Sequence, residues 1–91
     1  MPTYKDGISP RIRTMVRKIN EVGLNEIRDY VIKHNPKYNF LRQLAIVRSV
    51  AKKGYNETGY ELGITRQAAE QALKRMYGIA LEVEVANDGK E

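Results

Sequence analysis

The 91-residue chain has no cysteine, no tryptophan, one phenylalanine and one histidine. Without cysteine there is no disulfide framework and no thiolate metal site. His34 alone cannot build a metal site or a catalytic triad, so no metal is expected. No apolar run approaches the ~18 residues that a membrane span needs, and no leader-like apolar segment follows Met1. No pair of carboxylates, nucleophile with a neighbouring base, or phosphate-cradling loop is found. The expectation is a cytoplasmic protein that is not an enzyme, with no cofactor, membrane or small-molecule ligand. Acidic residues are also scarce over most of the chain. Residues 1–81 hold 15 Lys and Arg against 7 Asp and Glu, a balance of +8, whereas residues 82–91 hold 1 against 4. A basic body with a pI near 9.6 suits a polyanion, because each phosphate it neutralises releases counterions.

What is present is a succession of helical patterns with marked stops. Residues 1–8 show no period and read as a flexible arm. Ser9 before Pro10 is a start signal, a capping hydroxyl followed by proline at the first helical position. Ile12, Met15, Val16, Ile19 and Val22 then recur at helical spacing to Gly23, giving a helix over 10–22. Asn25 caps a second helix that stops at Asn35-Pro36, since proline pushes its predecessor out of the helical region. Asn39 caps a third over 40–53, with Leu41, Leu44, Val47 and Val50 on its inner stripe and Gly54 closing it. These are the supporting helices of 9–53. Asn56 caps a short helix over 57–62 that ends at Gly63, and Thr65 caps a fifth over 66–77 that ends at Gly78. From 79 to 86 the period becomes an alternation, with Leu81, Val83 and Val85 on one side. This reads as a short β-strand able to pair with a second copy, before a tail over 87–91. The expected fold is all-α: one domain over 1–91, about five short helices and a short C-terminal strand.

The segment 56–77 meets the steric demands of a helix-turn-helix. Gly59 places a minimal residue midway along the first helix, where the second must press against it. Gly63 supplies the positive φ of the turn, Leu62 and Ile64 flank the corner, and Ala69, Ala72 and Leu73 give the second helix a small apolar inner face. The run Gly63-Ile64-Thr65-Arg66-Gln67-Ala68-Ala69-Glu70-Gln71 resembles the turn and recognition helix of the lambda-type phage repressors. The longer run from Leu62 to Arg75 is similar to the helix-turn-helix of the KorA/TrfB plasmid repressors and to the promoter-reading region of sigma factors. The resemblance implies a sequence-specific regulator of transcription, a repressor, that reads the DNA major groove with the helix 65–77. It implies an exposed reading face of Thr65, Arg66, Gln67, Glu70, Gln71 and Lys74. Arginine forks onto guanine, glutamine pairs with adenine, and a carboxylate accepts from cytosine. Glu70 has a second role open to it, an i,i+4 pair with Arg66. Phosphates would be met by Arg48, Lys52, Lys53, Tyr55 and Asn56, around the N-terminus of the shorter helix, and by Arg75. A homodimer reading two half-sites is expected, with nucleoid-associated double-stranded DNA as the partner. Two other functions use the same scaffold: a protein-interaction adaptor or anti-repressor, and an architectural nucleic-acid binder indifferent to sequence.

Overall fold

The computed structural model describes residues 8–88. They form four helices: α1 (Pro10–Val22), α2 (Leu24–His34), α3 (Phe40–Leu62) and α4 (Arg66–Asp88). The fold is all-α. Among the described residues no helix is long and apolar enough to cross a membrane.

The start signals act as their side chains suggest. The Ser9 hydroxyl accepts from the Ile12 N–H at 3.3 Å, and Asn39 Oδ1 accepts from the Arg42 N–H at 3.1 Å to open α3. Gly23 closes α1 and also opens α2, because its carbonyl receives the Ile27 N–H at 3.1 Å. Asn25 therefore sits one residue inside α2 instead of capping it. Ile8, expected in the arm, is buried at the foot of α1; the rest of that arm lies outside the described residues, as do the last three residues of the tail.

α3 is two helical segments, 40–53 and 55–62, joined at Gly54 with φ 86° and ψ 178°. An L-residue resists that backbone conformation, which glycine enters freely. The corner falls at Gly54, so Asn56 lies in the first turn of the second segment and not at its cap. Two contacts hold the segments together. Thr58, fully buried, donates its hydroxyl to Ser49 Oγ at 2.9 Å, and Lys53 forms an ion pair with Glu61.

α4 departs most from expectation. It continues through Gly78 and through 79–86, so there is no strand there and no edge for a second copy to pair with. The alternation of Leu81, Val83 and Val85 is incidental. Met76, Ala80 and Val83 also follow one another at helical spacing, and these three are buried while Val85 is 70% exposed. A helix nucleated at Thr65 adds each further residue at little cost. Glutamate, leucine and alanine favour that continuation. Asn87 and Asp88, expected in the tail, form its last turn. Gly78 adopts no positive φ, and a Cβ added there would meet nothing within 4 Å. Gly78→Ala is therefore expected to stabilise the protein by about 1 kcal/mol, read as a raised melting temperature.

α4 is the central element. Its largest interface is with α3 and the next with α1, through the buried stripe Ala69, Ala72, Leu73, Met76, Ala80 and Val83. Ile12, Ile19, Ile27 and Val50 meet that stripe from the other helices. Lys18, late in α1, bonds Glu84, late in α4, at 2.8 Å. Arg11, early in α1, acts electrostatically on Tyr55 together with Arg66 at the start of α4. The two helices thus lie side by side, tied by the Lys18–Glu84 pair, and the face of α4 opposite its buried stripe looks outward.

Candidate nucleic-acid interface

The site begins at the turn. Gly63 takes the left-handed conformation, φ 68° and ψ 33°. Its N–H bonds to the Gly59 carbonyl, which also accepts from the Ile64 N–H at 2.9 Å. This paired closure is a Schellman-type end to the helix, and it lays the turn backbone directly over Gly59. A Cβ on Gly59 would stand 2.7 Å from the Ile64 carbonyl oxygen. The close approach demanded of Gly59 is thus met by the turn itself. Ile64 packs against the core, but Leu62 is 44% exposed, so one residue plugs the corner where two were expected.

Thr65 starts α4. Its Oγ1 accepts from the Ala68 N–H at 2.9 Å, and its carbonyl accepts from the Ala69 N–H at 3.1 Å. The hydroxyl is committed as a cap, so toward a ligand it acts as a donor. Of the other sequence-derived readers, Arg66, Gln67, Gln71 and Lys74 are exposed and Glu70 is half-buried. At 100° per residue, Gln67, Gln71 and Lys74 occupy the middle of the outward face. Glu70 and Arg66 do not form the ion pair their spacing allows. They act instead, with opposite signs, on Tyr55.

Each edge of this face carries a tyrosine. On one edge, burial raises the Tyr55 phenol above its ordinary 10.0; Glu70 adds to the shift, and Arg11 and Arg66 oppose it. On the other edge, the Arg75 guanidinium lies 5.5 Å from the centre of the Tyr38 ring. Burial raises the Tyr38 phenol as well, with Arg75 opposing; its buried hydroxyl has no hydrogen-bond partner among the described residues. A phenol that ionises later folded than unfolded makes the native state lose stability as pH climbs past 10.0. Lys18, whose bond to Glu84 raises it from 10.5, adds to the loss in the same direction. Phenolate absorbance is expected to resolve a late-titrating class containing Tyr38 and Tyr55, absent from Tyr38→Phe/Tyr55→Phe, with unfolding setting in at higher pH still.

The sequence-derived phosphate contacts are divided by the fold. Tyr55 and Arg75 stand at the edges of the outward face, and Asn56 is exposed on the segment before the turn. Arg48, Lys52 and Lys53 instead line a groove of about 590 Å³ beside Val16, Ile19 and Leu44, to which α4 contributes no residue. Lys53 is further occupied by Glu61. Lys37, which the sequence did not single out, reaches the edge of the face from the loop before α3, and Tyr60 is 90% exposed one turn after Asn56.

α4 is also charged against its own dipole. Its first half carries Arg66, Lys74 and Arg75 against Glu70, and its second half carries Glu82, Glu84 and Asp88. There is no acid in the first turn and no base in the last. The partial charges of a helix favour the reverse, by about 0.3–1 kcal/mol for each residue near an end.

Comparison with known proteins finds no matching family model, no matching curated protein and no matching solved structure.

Proposed function

We propose that this protein is a sequence-specific, double-stranded-DNA-binding regulator of transcription, a repressor, that inserts the first half of α4 into the major groove. The observation that carries the reading is the outward face itself. Arg66, Gln67, Gln71 and Lys74 stand exposed on a helix whose opposite side is packed with alanine, leucine and methionine, and none of the four takes part in a hydrogen bond or ion pair within the described residues. These side chains carry the donor and acceptor patterns that distinguish base pairs in the major groove. The placement of positive charge at the α4 N-terminus, against the dipole, supports an anionic partner there. In this reading Thr65, Asn56 and Arg75 meet phosphates, Arg11 and Tyr55 border one edge of the reading face, and Arg48, Lys52 and Lys53 contribute only to the long-range field.

The protein acts as a homodimer, because one helix of this length reads only a few base pairs and a twofold pair doubles the site. With 79–86 helical, the pairing does not go through a strand. Selection of bound sites from a random duplex library tests the reading. The expected result is a defined motif with twofold symmetry, bound roughly 10³-fold or more above random duplex. A steep salt dependence with no preferred sequence would make the protein an architectural binder, and no duplex binding at all would leave the adaptor function.

A further inference from the structure

We propose that the depression between the 35–39 loop and α4 is a seat for one backbone phosphodiester of duplex DNA, held by Lys37 and Arg75. The inference rests on the DNA-reading function and adds to it a contact from outside the helix, turn and helix of 55–77. The depression measures about 500 Å³, and Asn35, Lys37, Asn39, Gln43, Gln71 and Arg75 supply its polar lining beside Tyr38. Two cations and four amides can all donate hydrogen bonds toward an anion. No carboxylate lines it, whereas three other depressions of the described surface each include one: Glu61, Glu21 and Glu82.

One of the donors is also held in place. Stacking on Tyr38 fixes the Arg75 guanidinium, leaving its planar fork of N–H groups for an oxyanion. The Tyr38 ring is itself half-buried, packed against the core. Lys37 is exposed and makes no ion pair among the described residues. Gln71 belongs both to this depression and to the outward face of α4. A phosphate seated here thus lies at the edge of the reading helix, where one wall of a major groove stands when the helix occupies it. The charge is supplied from the loop between α2 and α3, so the seat sets the register of the helix in the groove without reading a base.

The test is Lys37→Gln, an exposed substitution that leaves Arg75 on Tyr38. Affinities of wild type and variant for the selected duplex and for random duplex are measured across a salt series. The expected result is a fall of roughly fourfold for both duplexes, one contact's share of non-specific affinity, with the slope of log K against log salt shallower by about 0.9. The ratio between the two duplexes stays the same. An unchanged slope and affinity, or a loss confined to the selected duplex, overturns the seat while the DNA-reading function stands. Absence of duplex binding by the wild type overturns both. A separate arm follows the backbone amide resonances of 37–39 and 71–75 as inorganic phosphate is added. Movement of these amides, together with unchanged duplex affinity in Lys37→Gln, assigns the depression to free phosphate and overturns its assignment to DNA.

Discussion

Replacing Gly59 with valine is expected to lower stability by about 3 kcal/mol, at the upper end of what overpacking usually costs. The reason lies in what Gly59 touches. A side chain could rotate away from a new methyl group, but the Ile64 carbonyl oxygen, 2.7 Å from the nearest point where a Cβ would stand, belongs to the turn backbone. Moving it shifts a turn that is itself fastened to the Gly59 carbonyl by two N–H groups, and with it the start of α4. Gly59 has no positive φ, so valine meets no backbone penalty and the whole effect is steric. For a chain of this size the loss corresponds to a melting temperature lower by roughly 10–20 °C. Gly59→Ala should show a smaller drop in the same direction. A melting curve at the wild-type temperature for the valine variant would remove the close crossing from which the outward face of α4 derives its orientation.

Arg66→Ala and Gln67→Ala carry the largest expected effects on binding. Each removes a side chain that can make a bidentate base contact, so each should cost about 1–3 kcal/mol at the selected site, a loss of roughly 5- to 150-fold. Their effects on random duplex should differ. Gln67→Ala leaves non-specific affinity and its salt slope unchanged, because no charge is lost. Arg66→Ala weakens both duplexes and loses preference as well. Both residues are exposed and without hydrogen bonds among the described residues, so melting temperatures should move within the ±0.5 kcal/mol typical of surface substitutions. Footprints over the selected site decide the matter: identical protection by both variants and the wild type would exclude this helix as the reader.

What sequence could and could not foretell follows from the range of the forces involved. Ser9-Pro10, Asn39, Gly63 and Thr65 were legible because caps and left-handed corners are decided by a residue and its near neighbours. Gly59 was legible because only a missing side chain permits two backbones to meet. The stretch 79–86 was not, because Leu81, Val83 and Val85 satisfy a period of two while Met76, Ala80 and Val83 satisfy a period of 3.6. The choice between them depends on whether a helix already arrives from Thr65. Asn56 was misplaced as a cap since Gly54, two residues earlier, turns the chain first. At the site, the reading face followed from one helical stretch and could be enumerated in advance. Lys37 could not, as it is brought beside α4 by a loop 29 or more residues away. The division of the basic residues had the same origin: Arg48, Lys52 and Lys53 precede the turn in sequence but face the groove beside α1.

The reversed charge of α4 has a further consequence in the time before contact. With bases at one end and acids at the other, α4 carries a charge asymmetry along its length, and under the proposed function a duplex exerts a torque on it at distances up to about 10 Å in 0.1 M salt. Diffusing proteins ordinarily waste most collisions on wrong orientations. This one should arrive already rotated, its glutamines leading and its acidic terminus trailing, and the share of productive encounters should shrink as added salt weakens that alignment.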